Sequence, residues 1–104
     1  MFFPGSAQEV QGSVDEPLGF ALAQNYPNPF NPKTESQFSI VNTQFTILKV
    51  YEVLGREVAT LVNERKGPGS YEVRFNADGL ASGMYFYRLT MGELSESRKM
   101  LLLK

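Results

Sequence analysis

From residue 18 onward, turn-forming residues return every eight to twelve positions: an Asn-Pro run at 25–32, Gly55, Gly67-Pro68-Gly69, the stretch 76–83, and Gly92. Helices with their own loops need more chain than that spacing leaves. Short antiparallel strands of a sandwich or barrel fit it. The segments between the turns agree. In 70–75, Tyr71, Val73 and Phe75 alternate with Glu72 and Arg74, and in 34–41 Phe38 and Ile40 alternate with Gln37 and Ser39. That period of two is the pattern of a strand burying one face.

Three of the six residues from Pro27 to Pro32 are proline, which excludes a helix and a central strand because each proline removes a ladder donor. The segment 20–32 is therefore expected to be an extended edge strand entering a tight turn. The runs 45–53 and 56–63 read as a hairpin around Gly55, and 84–91 with 94–103 as a second around Gly92-Glu93. Residues 76–83 read as a connection between sheets. The sum is an all-β, antiparallel, immunoglobulin-like β-sandwich of about seven strands. Phe38, Ile40, Leu48, Val50, Val58, Val73, Phe75, Tyr85, Tyr87 and Leu89 are its expected core. Residues 1–17 lack apolar periodicity and read as a flexible tether ahead of a domain at 18–104.

Composition narrows the function. A chain of 104 residues holds one domain, and 42% hydrophobic with 20% charged residues is ordinary for a globular one. The formal net charge is -1 and no basic block occurs, so neither a nucleic-acid face nor a polybasic membrane anchor is expected. No apolar run approaches the length of a transmembrane helix, and the first residues lack the basic and apolar regions of a secretion leader.

The chain contains neither histidine nor cysteine. The usual general base, the thiol nucleophile and most transition-metal ligands are therefore missing, and no enzyme, metal site or cofactor is expected. Asn76-Ala77-Asp78-Gly79 has too few oxygen ligands for a calcium loop and reads as a turn. Gly67-Pro68-Gly69 lacks the Lys-Ser/Thr and helix of a phosphate loop.

Three features go beyond a plain fold. The Asn-Pro run is either a cap that keeps a sheet edge from pairing with other molecules, or a preformed recognition element. The strand at 45–51 is apolar on both faces, with Phe45, Ile47 and Tyr51 on one and Leu48 and Val50 on the other. It is either buried twice or exposes a patch. Finally, Lys99-Met100-Leu101-Leu102-Leu103-Lys104 ends flush, as a last strand or as an end that a partner reads.

Four motifs, in order, carry a resemblance. They are Asn25-Tyr26-Pro27-Asn28-Pro29-Phe30-Asn31-Pro32, Val50-Tyr51-Glu52-Val53-Leu54-Gly55-Arg56-Glu57-Val58, Leu80-Ala81-Ser82-Gly83-Met84-Tyr85-Phe86-Tyr87-Arg88-Leu89 and the final Lys99 to Lys104 segment. Together they resemble the type A C-terminal sorting domain of type IX secretion in Gram-negative bacteria. The immunoglobulin-like domain of the flagellar hook-capping protein is similar in the later motifs only. Ser36, Val41 and Glu52 depart from the sorting-domain pattern, which has an apolar residue, a proline and an aspartate there.

The resemblance implies a non-catalytic domain that directs an N-terminal passenger across the outer membrane to the cell surface or medium. Its implied partners are the outer-membrane translocon and a sortase-like surface peptidase that cuts the domain off. The candidate recognition residues are Asn25, Pro27, Asn28, Pro29, Phe30, Asn31, Pro32, Gly55, Arg56, Gly83, Lys99 and Lys104. A surface adhesion or carbohydrate-binding module, with Tyr26, Tyr51, Tyr85 and Tyr87 stacking on sugars, is the alternative reading.

Overall fold

A computed structural model describes residues 20–104; the expected tether at 1–17 lies outside the described residues. Seven strands follow in order: β1 (Phe20–Leu22), β2 (Lys33–Ile40), β3 (Gln44–Glu52), β4 (Glu57–Lys66), β5 (Gly69–Asn76), β6 (Gly83–Met91) and β7 (Leu94–Leu102). They form a three-stranded sheet, β1-β2-β5, and a four-stranded sheet, β4-β3-β6-β7, with every pairing of named strands antiparallel. The constant-type immunoglobulin order adds the fourth strand to the first sheet. Here β4 turns back on β3 through the tight turn at 52–56 and stays in the second.

The two sheets bury their facing sides. β2 alternates strictly, with Thr34, Ser36, Phe38 and Ile40 inward; Leu48 and Val50 of β3 and Tyr85, Tyr87, Leu89 and Met91 of β6 meet them from the other sheet. Eight of the ten expected core residues are buried, while Val58 and Val73 are partly buried against that core. Both lie on β4 and β5, each the outermost strand of its sheet, where one side has no neighbouring strand.

The double apolar character of β3 resolves into one buried and one open face. Thr46, Leu48 and Val50 are buried, whereas Phe45 stays 49% exposed on the outside of the four-stranded sheet. Ser36, an inward position where the resembling family is apolar, is held by its hydroxyl donating to the Ala23 carbonyl at 2.8 Å. A buried hydroxyl with a partner costs little, so the departure leaves the packing intact.

Tyr87 donates to the same Ala23 carbonyl at 2.8 Å, and burial pushes its phenol above the ordinary value. A raised folded-state value contributes stability that is full below the unfolded value near pH 10 and is lost as pH rises through the folded one. Urea unfolding between about pH 9 and pH 12 should show this loss, and Tyr87→Phe should flatten the pH dependence. An unaltered slope in the variant would assign the alkaline loss to other groups.

Gly55 closes the β3–β4 turn at φ 96°, with nothing within 4 Å of an added Cβ. Any cost of a side chain there is backbone strain alone. Gly55→Val should lower stability by about 1–3 kcal/mol in a denaturant titration, and a change below about 0.5 kcal/mol would contradict the strain.

Candidate functional site

The Asn-Pro run does more than cap its own strand. Residues 23–31 begin on β2, where Ala23 N–H donates to the Gln37 carbonyl at 2.8 Å and Tyr26 exchanges both backbone bonds with Glu35 at 2.8 and 2.9 Å. The segment then crosses the end of the sandwich to β7. Phe30 N–H donates to the Leu101 carbonyl at 2.9 Å, and Leu103 N–H donates to the Phe30 carbonyl at 3.0 Å. Leu101 N–H reaches Asn28 Oδ1 at 3.0 Å, Gln24 Nε2 donates to the Lys99 carbonyl at 2.7 Å, and Arg98 Nε to the Leu22 carbonyl at 2.6 Å. The segment thus covers the last part of the free edge of β7, a placement that hinders a terminal strand from pairing with other molecules.

Prolines leave their neighbours' carbonyls without a regular ladder, and Asn25 answers that locally. Its amide donates to Thr34 Oγ1 at 2.9 Å and to the Pro27 carbonyl at 3.1 Å, while the Thr34 hydroxyl donates to the same carbonyl at 2.9 Å. Asn25 is 3% exposed and Phe30 is 2% exposed, with the Phe30 ring 6.1 Å from that of Phe75. These two serve the fold. Tyr26, Pro27, Asn28, Pro29 and Asn31 are exposed, and Pro32 is partly buried.

Strand pairing places the other marked residues at the same end. Gly83 is opposite Leu102, Tyr85 is opposite both Glu52 and Met100, and Lys33 is opposite Asn76. The starts of β2, β4 and β6, the ends of β3, β5 and β7, and the proline segment therefore share one pole. Gly55 and Arg56 lie in the turn there, with Arg56 paired to Glu52. Lys104 N–H donates to Ser82 Oγ at 3.0 Å. Lys99 is the exception, opposite Phe86 on the outer face of the four-stranded sheet.

Exposed apolar side chains gather at this pole as well: Tyr26 at 81%, Leu54 at 89%, Val53 at 63% and Leu103 at 50%. A groove of about 730 Å³ lies at Tyr26, between Pro27, Lys33, Glu35, Arg74 and Phe75. Val53 and Leu54 are exposed apolar residues of the β3–β4 turn, and the sequence carried them only as part of the second motif. Thr34 and Ser36 were signalled by being polar at inward positions of an alternating strand. The entering chain is at the other pole, since Phe20 is opposite Ile40 at the far end of β2. Of the tyrosines considered for sugar stacking, Tyr85 and Tyr87 are buried in the core.

A family model described as "Secretion system C-terminal sorting domain" matches residues 24–103. No curated protein matches the chain in sequence. Among solved structures the chain is similar to the crystal structure of dimeric latent PorU from Porphyromonas gingivalis, with a TM-score of 0.60 and 15% identity. That likeness covers 93% of this chain and 10% of the other, and at this identity it bears on the fold alone.

Proposed function

The chain belongs to the family of secretion system C-terminal sorting domains, and from that membership we propose that it is the non-catalytic handle by which a type IX secretion apparatus exports an N-terminal passenger to the cell surface or medium. The observation that carries the reading is the convergence at one pole. Motifs far apart in sequence (25–32, 53–56, 80–83 and 101–104) meet where apolar side chains remain exposed, while the chain enters at the opposite pole. The nine residues of β7 span about 30 Å at ~3.3 Å per residue. A passenger attached before residue 20 therefore stays clear of whatever docks at the far end.

The translocon reads that exposed pole, and the candidate contacts are Pro27, Asn28, Pro29, Asn31, Arg56 and Lys104, joined by Tyr26, Val53, Leu54 and Leu103. Asn25 and Phe30 act on recognition by holding the segment in place. Residues 1–17 supply the tether that a sortase-like peptidase draws into its cleft, and cleavage there releases the passenger from its handle.

The test is a secreted reporter carrying residues 1–104 at its C-terminus in a cell with a working type IX apparatus. The reporter is expected at the surface or in the medium, and in the periplasm when the domain is omitted. Deleting Lys104 alone removes little packing and should leave the melting temperature within a few degrees while lowering secretion. A folded fusion that stays in the periplasm would contradict the reading.

A further inference from the structure

Outside the recognition pole, the two outer sheet faces differ sharply. The face of β2 and β5 is polar and internally balanced: Glu35 is opposite Arg74 and bonds to it at 3.2 Å, and Gln37 is opposite Glu72. The outer face of the four-stranded sheet instead mixes aromatic with charged side chains and carries an excess of cations. Strand register lines up Glu57, Tyr51, Phe86 and Lys99 in one row, and Thr60, Lys49, Arg88 and Ser97 in the next.

Two aromatic rings thus stand side by side, ringed by three cations and by hydroxyl groups. Only Lys49 has its charge answered within these rows. Its ammonium meets Glu57 at 3.1 Å, and hydrogen bonds from Thr60 and then Lys49 hold the Glu57 carboxyl below its ordinary range. Among the described residues, Arg88 and Lys99 form no ion pair.

Arg88 is nonetheless fixed in place. Its guanidinium lies 5.4 Å from the centre of the Tyr51 ring, and Nε donates to Ser97 Oγ at 3.1 Å. A guanidinium stacked on an aromatic face and tied at one nitrogen keeps its other N–H groups pointed outward as a fork. Such a fork matches the two oxygens of a carboxylate. Beside it Tyr51, Glu52, Val53, Gly55, Phe86, Arg88 and Ser97 line a hollow of about 390 Å³, and the Glu52 carboxylate among them is paired with Arg56. That is within the usual ~300–1,000 Å³ of small-ligand pockets.

We propose that this hollow binds an acidic sugar unit of a polysaccharide. The apolar C–H face of the ring covers Phe86, burying apolar surface on both partners. The sugar carboxylate is taken by Arg88, with Lys99 adding long-range attraction, and the hydroxyls meet Ser97 and its neighbours. A hollow with an aromatic floor favours this occupant over an acidic polypeptide, whose carboxylates would need only the cations. The hollow adjoins the recognition pole at Val53 and Gly55, but its binding is read on the chain alone, so its test does not depend on the sorting role.

Affinity electrophoresis of the whole chain through gels holding polygalacturonate, polyglutamate or neutral dextran tests the proposal. Retardation is expected in polygalacturonate alone. Arg88→Gln should weaken it by about tenfold or more, the effect of removing one charge-assisted pair. Phe86→Ser should weaken it as well, and Arg74→Gln on the opposite face should not. Because Phe86 is half-buried, that variant counts only with an unchanged melting curve, and Arg88→Gln decides if it unfolds. Absence of retardation in polygalacturonate, equal retardation in polyglutamate, or full retention by Arg88→Gln would each overturn the assignment.

Discussion

Phe30→Ala is expected to destabilise the domain by about 3–5 kcal/mol, the cost of truncating a fully buried aromatic. Domains of this size have about 5–15 kcal/mol in total, so the variant should be folded only marginally at growth temperature. The ring sits between the sheets beside Phe75, and its own backbone makes the two backbone–backbone bonds that join the proline segment to the end of the chain at Leu101 and Leu103. Losing the ring should therefore free the β7 edge as well as open a cavity. Urea unfolding measures the first effect, and faster amide hydrogen exchange at Leu101 and Leu103 the second. A loss below about 1 kcal/mol would mean that the proline segment is an accessory strap and not part of the core.

Most of the architecture was legible in the sequence because it depends on local signals. Alternation fixed which faces of β2, β5 and β6 turn inward, and Gly55 and Gly92 marked two hairpins at their observed places. What stayed hidden depends on contacts distant in sequence. Phe30 lies in a run without periodicity, and nothing nearby shows that it packs between the sheets. Asn28 and Leu101 are 73 positions apart, and their bond follows from the whole topology. The proline segment and the final strand were therefore two separate candidates in the sequence and are one structure in space. Asn25 was marked for recognition by its place in the motif, yet its amide is spent inside the domain on Thr34 and Pro27.

The second large effect is on export, and it isolates surface from fold. Leu54 is 89% exposed at the tip of the β3–β4 turn, so Leu54→Lys should change stability by no more than about 0.5 kcal/mol. If the pole is what the secretion apparatus docks, a charge there must be desolvated against an apolar partner surface. Gln37→Lys adds the same charge on the polar face of β2, opposite Glu72, where solvent remains. Reporter fusions of residues 1–104 bearing each variant, matched for melting temperature, put the account to its most direct trial by the secreted fraction. The Gln37→Lys fusion should be secreted like the parent, and the Leu54→Lys fusion should be retained, with secretion down by about tenfold or more. Secretion of the Leu54→Lys fusion at the parent level would contradict the account.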